Sequence, residues 1–138
     1  MKPSFLMKRI IGTEYLLAAI LTAILFISFA NFDWWWLFIL FPVVDISAFG
    51  YLQNNRAGAL MYNVGHSLIG PVVFLAIYIF GGPDWALFVA MVWLFHIFVD
   101  RALGYGMKHV EGFGHTHLGK VGKAKRASSS KKKTNKKK

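Results

Sequence analysis

Hydrophobic residues along the chain fall into four long runs separated by short polar breaks. The runs cover about residues 15–32, 34–52, 59–80 and 85–106. A helix needs roughly 20 apolar residues to cross a hydrocarbon core of about 30 Å, and each run approaches this length. Four buried helices of this length would leave a chain of 138 residues with too little polar surface to cover them. The pattern therefore predicts an all-α, polytopic membrane protein with four transmembrane helices.

Short polar segments join the four predicted helices. They are residues 31–33, 53–58 and 81–84, and their shortness is typical of helices that pack as antiparallel neighbours. We expect residues 1–118 to form one transmembrane domain, an antiparallel four-helix bundle. Its surroundings, and its main partner, would be the lipid bilayer.

Charge is unevenly distributed along the chain. There are 16 Lys and Arg residues against six Asp and Glu, a net charge of +10, yet residues 1–118 carry six of each sign. The whole excess therefore lies in residues 119–138, a low-complexity segment that we expect to be disordered. Such a segment either binds anionic lipid headgroups or fixes the membrane orientation. No aromatic residue is interleaved with its lysines, so the pattern does not favour nucleic acid binding.

The positions of the basic residues predict an orientation. Lys and Arg occur in the N-terminal segment, in the loop 53–58 and after the last run, whereas the loops 31–33 and 81–84 have none. Positively charged loops stay on the cytoplasmic side. The sequence thus predicts a multi-pass protein of the plasma or inner membrane with both termini in the cytoplasm.

Composition excludes several kinds of chemistry. The chain has no cysteine, which rules out disulfide frameworks, thiolate zinc sites, iron–sulfur clusters and cysteine nucleophiles. It also has no P-loop, no GxSxG elbow and no dinucleotide-binding fingerprint.

Asp and His side chains lie inside the apolar runs, where each ionisable group is costly without a partner or a purpose. The second run contains Asp45, the third His66, and the fourth His96 and Asp100. At a helical rise of about 1.5 Å per residue they lie roughly 8–15 Å from the cytoplasmic ends. His96 and Asp100, four residues apart, share one helix face. The sequence predicts that all four meet in one layer of the inner leaflet.

Three interpretations of this layer remain open. Two imidazoles and two carboxylates suit a divalent metal such as Zn, Mn or Fe. A metal with an open position would activate water, which makes a hydrolase acting on a lipid or other membrane-associated substrate conceivable. The layer is equally typical of a hydrogen-bonded core that fixes the packing of a structural scaffold, including a homo-oligomer. Finally, buried His and Asp residues also serve proton- or ion-coupled carriers.

Further polar residues surround the predicted layer. Asn63 lies on the same face of the third helix as His66, and Arg101 follows Asp100, where it could meet an anionic group. His115 and His117 follow the fourth run, and a segment folding back as a lid would add them as ligands. The prolines Pro42 and Pro71 interrupt the helical hydrogen bonding near the layer.

Three segments carry a resemblance to a known family. They are FPVVDISAFGYL (41–52), GALMYNVGHSLIGP (58–71) and HIFVDRALGYGMKHVEGFGHTHLG (96–119). Over about residues 12–119 the chain resembles the small integral membrane proteins of domain-of-unknown-function family 4260. The resemblance implies a four-helix fold and no particular activity. It places the following residues in the family's motifs: Asp45, Asn63, His66, His96, Asp100, Arg101, Tyr105 and His117.

A looser similarity in plan links the chain to membrane-bound metal-dependent hydrolases, which also set His and Asp on transmembrane helices. The chain has no HExxH motif.

Overall fold

A computed structural model describes residues 5–108 and, for the backbone only, residues 115–116 and 119–120. Six α-helices and one 3₁₀ helix make up the body. The helices are α1 (Phe5–Ser28), α2 (Trp36–Ile39), α3 (Phe41–Val44), the 3₁₀ helix (Asp45–Leu52), α4 (Asn55–Gly65), α5 (Ile69–Ile79) and α6 (Asp84–Ala102). The all-helical class predicted from the sequence is confirmed for this body.

The first helix begins at Phe5, well before the predicted start at residue 15. Its early turns pack against the end of α6. A side chain added at Gly12 would come within 3.2 Å of the carbonyl oxygen of Ala102. Because Gly12 has no side chain, the two backbones approach closely there, and this packing supports a helix start that the hydropathy pattern did not predict.

The second predicted helix is the main departure from expectation. Residues 34–52 do not form one continuous helix; they form α2, α3 and the 3₁₀ helix. Pro42 explains the first interruption, since it lies in the first turn of α3, where its missing N–H needs no helical partner. The second follows at Asp45, where the tighter 3₁₀ turn begins.

The third predicted helix is also interrupted. α4 ends at Gly65, His66 occupies the C-cap position, and α5 starts at Ile69. Pro71 lies in the first turn of α5, where a proline is tolerated. The interruption places His66 at a helix end, where its backbone and ring are free to take a non-helical orientation.

The fourth helix ends at Ala102 rather than at residue 106. Gly104 accounts for this end, because it adopts a positive φ of 87°, a conformation that glycine takes without steric cost. The Tyr105 N–H donates to the carbonyl oxygen of Asp100 at 2.8 Å and closes the helix end. The chain then turns back towards α4.

Two pairs of packed elements run antiparallel. Along α1 and α6, Tyr15 contacts Phe98 near one end and Phe26 contacts Phe88 near the other. The 3₁₀ helix likewise runs antiparallel to α4, because Gly50 lies against Gly58 while Ser47 lies against Gly65. Within residues 5–108, an apolar cluster centres on Phe26, Leu37, Met91 and Val92.

Most apolar surface of the helices faces outward. Leu17 and Leu21 on α1, for example, are 61% and 57% exposed, a pattern expected when lipid is the surrounding solvent. Among the described residues, three stretches are long and apolar enough to cross a membrane: Phe5–Ser28, Asn55–Ile79 and Asp84–Ala102. Trp36–Leu52 is apolar but shorter. The structure therefore supports a membrane protein.

One short β-pairing is added to the predicted helices. The strands β1 (His115–Thr116) and β2 (Gly119–Lys120) pair antiparallel, with His115 opposite Lys120. The predicted boundary between domain and tail at residue 119 thus falls on this pairing. The remainder of the predicted disordered tail, residues 121–138, lies outside the described residues.

Candidate metal centre

The four ionisable side chains predicted to meet do so in the structure. One ligand atom from each of Asp45, His66, His96 and Asp100 lies within 4.8 Å of all the others. They come from three elements: Asp45 starts the 3₁₀ helix, His66 caps α4, and His96 and Asp100 are one turn apart on α6. The two helix interruptions therefore lie directly at the cluster.

The two imidazole Nε2 atoms occupy the centre of the cluster. They lie 3.1 Å from each other. The His66 Nε2 lies 3.5 Å from Oδ1 of Asp45 and 3.4 Å from Oδ2 of Asp100. The His96 Nε2 lies 3.6 Å and 3.7 Å from the same two oxygens.

The outer nitrogens of both rings face backbone carbonyls. The His96 Nδ1 lies 2.8 Å from the carbonyl oxygen of Phe41, and the His66 Nδ1 lies 3.0 Å from that of Tyr62. A carbonyl oxygen only accepts hydrogen bonds, so each Nδ1 must carry a hydrogen and donate. If both rings are neutral, neither Nε2 carries a hydrogen, and the lone pairs of both Nε2 atoms point into the cluster.

Four acceptors consequently meet with no hydrogen assigned between them. They are two imidazole lone pairs and two carboxylate oxygens at separations of 3.1–3.7 Å for the pairs that involve nitrogen. If either Nε2 carried the proton instead, the Nδ1 lone pair of that ring would face a carbonyl oxygen. With neutral rings, either tautomer therefore leaves a hydrogen-bond acceptor facing another acceptor, which is unfavourable. A cation between the four atoms would remove this repulsion.

Five of the six separations match those between ligands of a four-coordinate ion. Zinc lies about 2.0–2.2 Å from nitrogen and oxygen ligands in a tetrahedron, whose edges are then about 3.4 Å long. The five pairs that include His66 or His96 lie between 3.1 and 3.7 Å. The remaining pair, formed by the oxygens of Asp45 and Asp100, lies within 4.8 Å.

Burial differs strongly around the cluster. The side chains of His66 and His96 are 4% and 0% exposed, and that of Asp100 is 15% exposed. Asp45 is half exposed. The cluster is therefore closed on the imidazole side and accessible from the Asp45 side.

Two neighbours that the sequence analysis missed hold the ligands in place. The Tyr62 hydroxyl donates to Oδ2 of Asp100 at 3.2 Å, and its ring stacks on the His66 ring at 3.7 Å between centroids. The Ser47 Oγ lies 3.5 Å from the His66 Nδ1. Tyr62 precedes His66 by one helical turn, so the spacing alone could have predicted that the two side chains share a helix face. Ser47 gave no comparable signal.

Asn63 and Arg101 contact the surroundings of the cluster. Asn63 makes two hydrogen bonds with the backbone of Lys108: its Nδ2 donates to the carbonyl oxygen at 2.9 Å, and its Oδ1 accepts from the N–H at 2.6 Å. The Arg101 Nη2 donates to the carbonyl oxygen of His66 at 3.3 Å. Asn63 thus fixes the chain after α6, and Arg101 caps the end of α4.

Lys108 is a buried cation beside the cluster. Only 3% of the residue is exposed, and its Nζ lies 4.8 Å and 5.5 Å from the ring centres of Tyr62 and Tyr105. Burial lowers the pKa of its ammonium group, and the negative charges of Asp100 and Asp45 partly oppose this. Nothing in the sequence indicated its burial, which depends on the turn at Gly104.

The two further candidate ligands are not tested by this geometry. His117 lies outside the described residues, and for His115 the structure describes only the backbone of β1. Their predicted role as additional ligands therefore stays a prediction.

Fold and site together define a class: a small helical membrane protein with a His/Asp cluster between its helices. Residues 8–121 match the model of the family described as "Domain of unknown function (DUF4260)". This match covers most of the chain, and the protein belongs to that family, which confirms the resemblance found in its motifs. Neither the curated proteins nor the solved structures contain a significant match to the chain.

Proposed function

We propose that this protein is an integral membrane metalloprotein that binds one divalent cation, zinc best of all, through Asp45, His66, His96 and Asp100. A single observation carries the proposal: four ligand atoms converge, and two of them belong to imidazoles whose Nδ1 atoms lie 3.0 Å and 2.8 Å from backbone carbonyl oxygens. Backbone carbonyls that receive the second N–H of a histidine are the usual partners that orient metal-binding imidazoles.

A metal satisfies the cluster better than protons do. One extra proton can join two of the four atoms but leaves the other two opposed. A tetrahedral ion contacts all four at once, and imidazole with carboxylate is a ligand set suited to zinc, with manganese and iron as the nearest alternatives. The two interpretations without a metal are a polar packing layer and a proton-coupled carrier. Both need protons to separate the four acceptor atoms.

Metal analysis of the purified protein tests the proposal. We expect about one equivalent of zinc per chain in the wild type, as for a mononuclear site, and loss of the metal in His66→Ala. Asp33→Asn, which removes an acid outside the cluster, should keep it. With Co²⁺ in place of zinc, visible absorption reports whether the coordination is tetrahedral. Equal, substoichiometric metal in all three proteins would show that the cluster is not a metal site.

Metal-dependent hydrolysis is the second candidate, and the exposure of Asp45 favours it. Such an ion would supply Lewis acidity and lower the pKa of a bound water. Four protein ligands fill a tetrahedral site, so water would bind only if the ion took a fifth ligand or if Asp45 released it. The half-exposed Asp45 leaves one side of the cluster open to a substrate, while Tyr62 holds Asp100 in position. We expect ester hydrolysis by the zinc-loaded protein to disappear in His96→Leu. Retained hydrolysis in that variant would remove this candidate.

We infer four membrane crossings with both termini on the cytoplasmic side and the cluster in the inner leaflet. Trp36–Leu52 is shorter than the other spans, but a 3₁₀ helix rises about 2.0 Å per residue rather than 1.5 Å. With eight residues in the 3₁₀ helix, the rises of the three pieces add up to roughly 30 Å along the chain, the thickness of the hydrocarbon core. Homo-oligomerisation stays a prediction, which light scattering in detergent checks.

For residues 119–138 we propose binding to anionic headgroups. This segment contains ten Lys and Arg residues and no acid. Each basic residue near an anionic membrane surface contributes about 1 kcal/mol to the free energy of binding. A synthetic peptide of this segment should bind vesicles that contain phosphatidylserine and not vesicles of phosphatidylcholine alone. Equal binding to both would contradict the proposal.

A further inference from the structure

An apolar groove of about 470 Å³ lies beside the metal centre. Its walls come from residues 40–47 of the interrupted second segment, from residues 88–93 of α6, and from Gly65 at the end of α4. The four cluster residues do not line the groove themselves, but Ser47, which does, has its Oγ 3.5 Å from the Nδ1 of His66. Val44 and Ile46, which line the groove, flank Asp45 in the chain, and Gly65 immediately precedes His66.

The polar atoms in the groove wall are already hydrogen-bonded. The Ser47 hydroxyl donates to the carbonyl oxygen of Val44 at 2.9 Å, and the Trp93 indole N–H donates to the carbonyl oxygen of Gly65. The other side chains that line the groove are apolar. Because a buried polar ligand needs hydrogen-bond partners, the groove suits hydrocarbon rather than a polar molecule.

The size and position of the groove favour a lipid chain over a protein segment. A helix is about 10 Å wide with its side chains, so this volume would hold little more than one turn. An acyl chain is far thinner and fits along such a groove. Val43 and Ile46 at the rim are 50% and 54% exposed, so the groove opens onto the surface that the bilayer covers.

We propose that this groove binds one acyl chain of a bilayer phospholipid and holds the ester region of that lipid beside the metal centre. The inference rests on the proposed metal function, which supplies the polar end of the site. It identifies the substrate class as a phospholipid, whose chain enters from the membrane while its headgroup stays on the open Asp45 side.

Photolabelling in vesicles tests the inference. The full-length protein is reconstituted in phosphatidylcholine that includes a fraction with a diazirine on the acyl chain, and labelled peptides are mapped by mass spectrometry. We expect labelling of residues 40–47 and 88–93 above that of the lipid-facing side of α1. Val89→Trp, which fills the groove, should abolish the excess, whereas Leu17→Trp on the outer face of α1 should leave it unchanged.

Two further measurements make each outcome decisive. If Val89→Trp does not fold, Val43→Trp closes the groove from its exposed rim and should also remove the excess. Groove labelling no stronger than that of α1, or insensitive to both substitutions, would overturn the inference. Labelling by a diazirine fatty acid but not by the phospholipid would overturn the assignment to a phospholipid.

The zinc content of the same samples separates this inference from the proposed function. Zinc bound without groove labelling contradicts the lipid site alone. Groove labelling in a protein that binds no zinc contradicts the metal function, and with it the proposed substrate, while the acyl-chain site itself stands.

Discussion

The Nε2 atoms of His66 and His96 lie 3.1 Å apart, although the two residues are 30 positions apart in the chain. Each ring is fixed on its other side by a backbone carbonyl, that of Tyr62 for His66 and that of Phe41 for His96. Those carbonyls determine which nitrogen is free. The backbone of two interrupted helices thus orients both imidazoles so that their Nε2 atoms face each other.

Tyr62→Phe should weaken metal binding without unfolding the protein. The substitution keeps the ring that stacks on His66 but removes the hydroxyl that donates to Asp100. Loss of such an outer partner typically lowers metal affinity by about 10–100-fold. Competition titration with a zinc chelator measures the effect. Tyr78→Phe is the matched control, because Tyr78 lies outside the cluster, and equal affinities of the two variants would contradict the prediction.

Zinc should raise the thermal stability of the wild type and not that of His96→Leu. A ligand that binds only the folded state at 100 times its Kd contributes about 2.7 kcal/mol to the free energy of unfolding. His96 is fully buried, and leucine replaces it with an apolar side chain of similar size. Unfolding followed with zinc and with chelator gives the difference.

Asp84→Asn serves as the control in this experiment, since Asp84 starts α6 at the end away from the cluster. It should keep the zinc-dependent increase. A zinc-dependent increase in His96→Leu as large as in the wild type would show that the metal binds elsewhere.

Because of Lys108, we expect the free energy of unfolding to rise with pH over a range that ends at the ordinary lysine pKa of 10.5. Burial lowers the pKa of this ammonium in the folded protein. Between the lowered pKa and 10.5 the unfolded chain therefore holds a proton that the folded protein has released. The free energy of unfolding must then increase with pH across this window, and the contribution is constant below the folded pKa.

Lys108→Met removes that contribution and should flatten the slope, as measured by denaturant unfolding at a series of pH values. Lys8→Met replaces a lysine on the exposed surface of α1 and should keep the wild-type slope. Identical slopes in both variants would mean that Lys108 does not titrate differently on folding.

The number of crossings can be read from single cysteines, because the chain has none of its own. Four crossings place a cysteine at the N-terminus on the same side as Arg56→Cys, with Gly82→Cys on the other side. If Trp36–Leu52 did not cross, the N-terminus and Arg56 would lie on opposite sides. Labelling of intact cells with a membrane-impermeant maleimide distinguishes the two arrangements.

The candidate ligands were predictable for a simple reason. Helical spacing alone puts His96 and Asp100 on one face, and similar distances from the predicted helix ends bring Asp45 and His66 to the same layer. The position of the helix ends was harder to predict. Pro42 and Pro71 indicated interruptions, but the 3₁₀ geometry after Asp45 depends on close packing against α4, where a side chain at Gly65 would collide with Ser47.

The amino-acid sequence by itself determined the membrane character of this protein and the identity of its four candidate ligands, because apolar run length and helical periodicity are local properties of the chain. Only the tertiary structure decided which nitrogen of each histidine faces the cluster, that Tyr62 holds Asp100, and that Lys108 is buried beside them. Those features depend on backbone carbonyls and on a turn at Gly104 that are brought to the site from distant positions in the chain. No local sequence pattern predicts such long-range contacts.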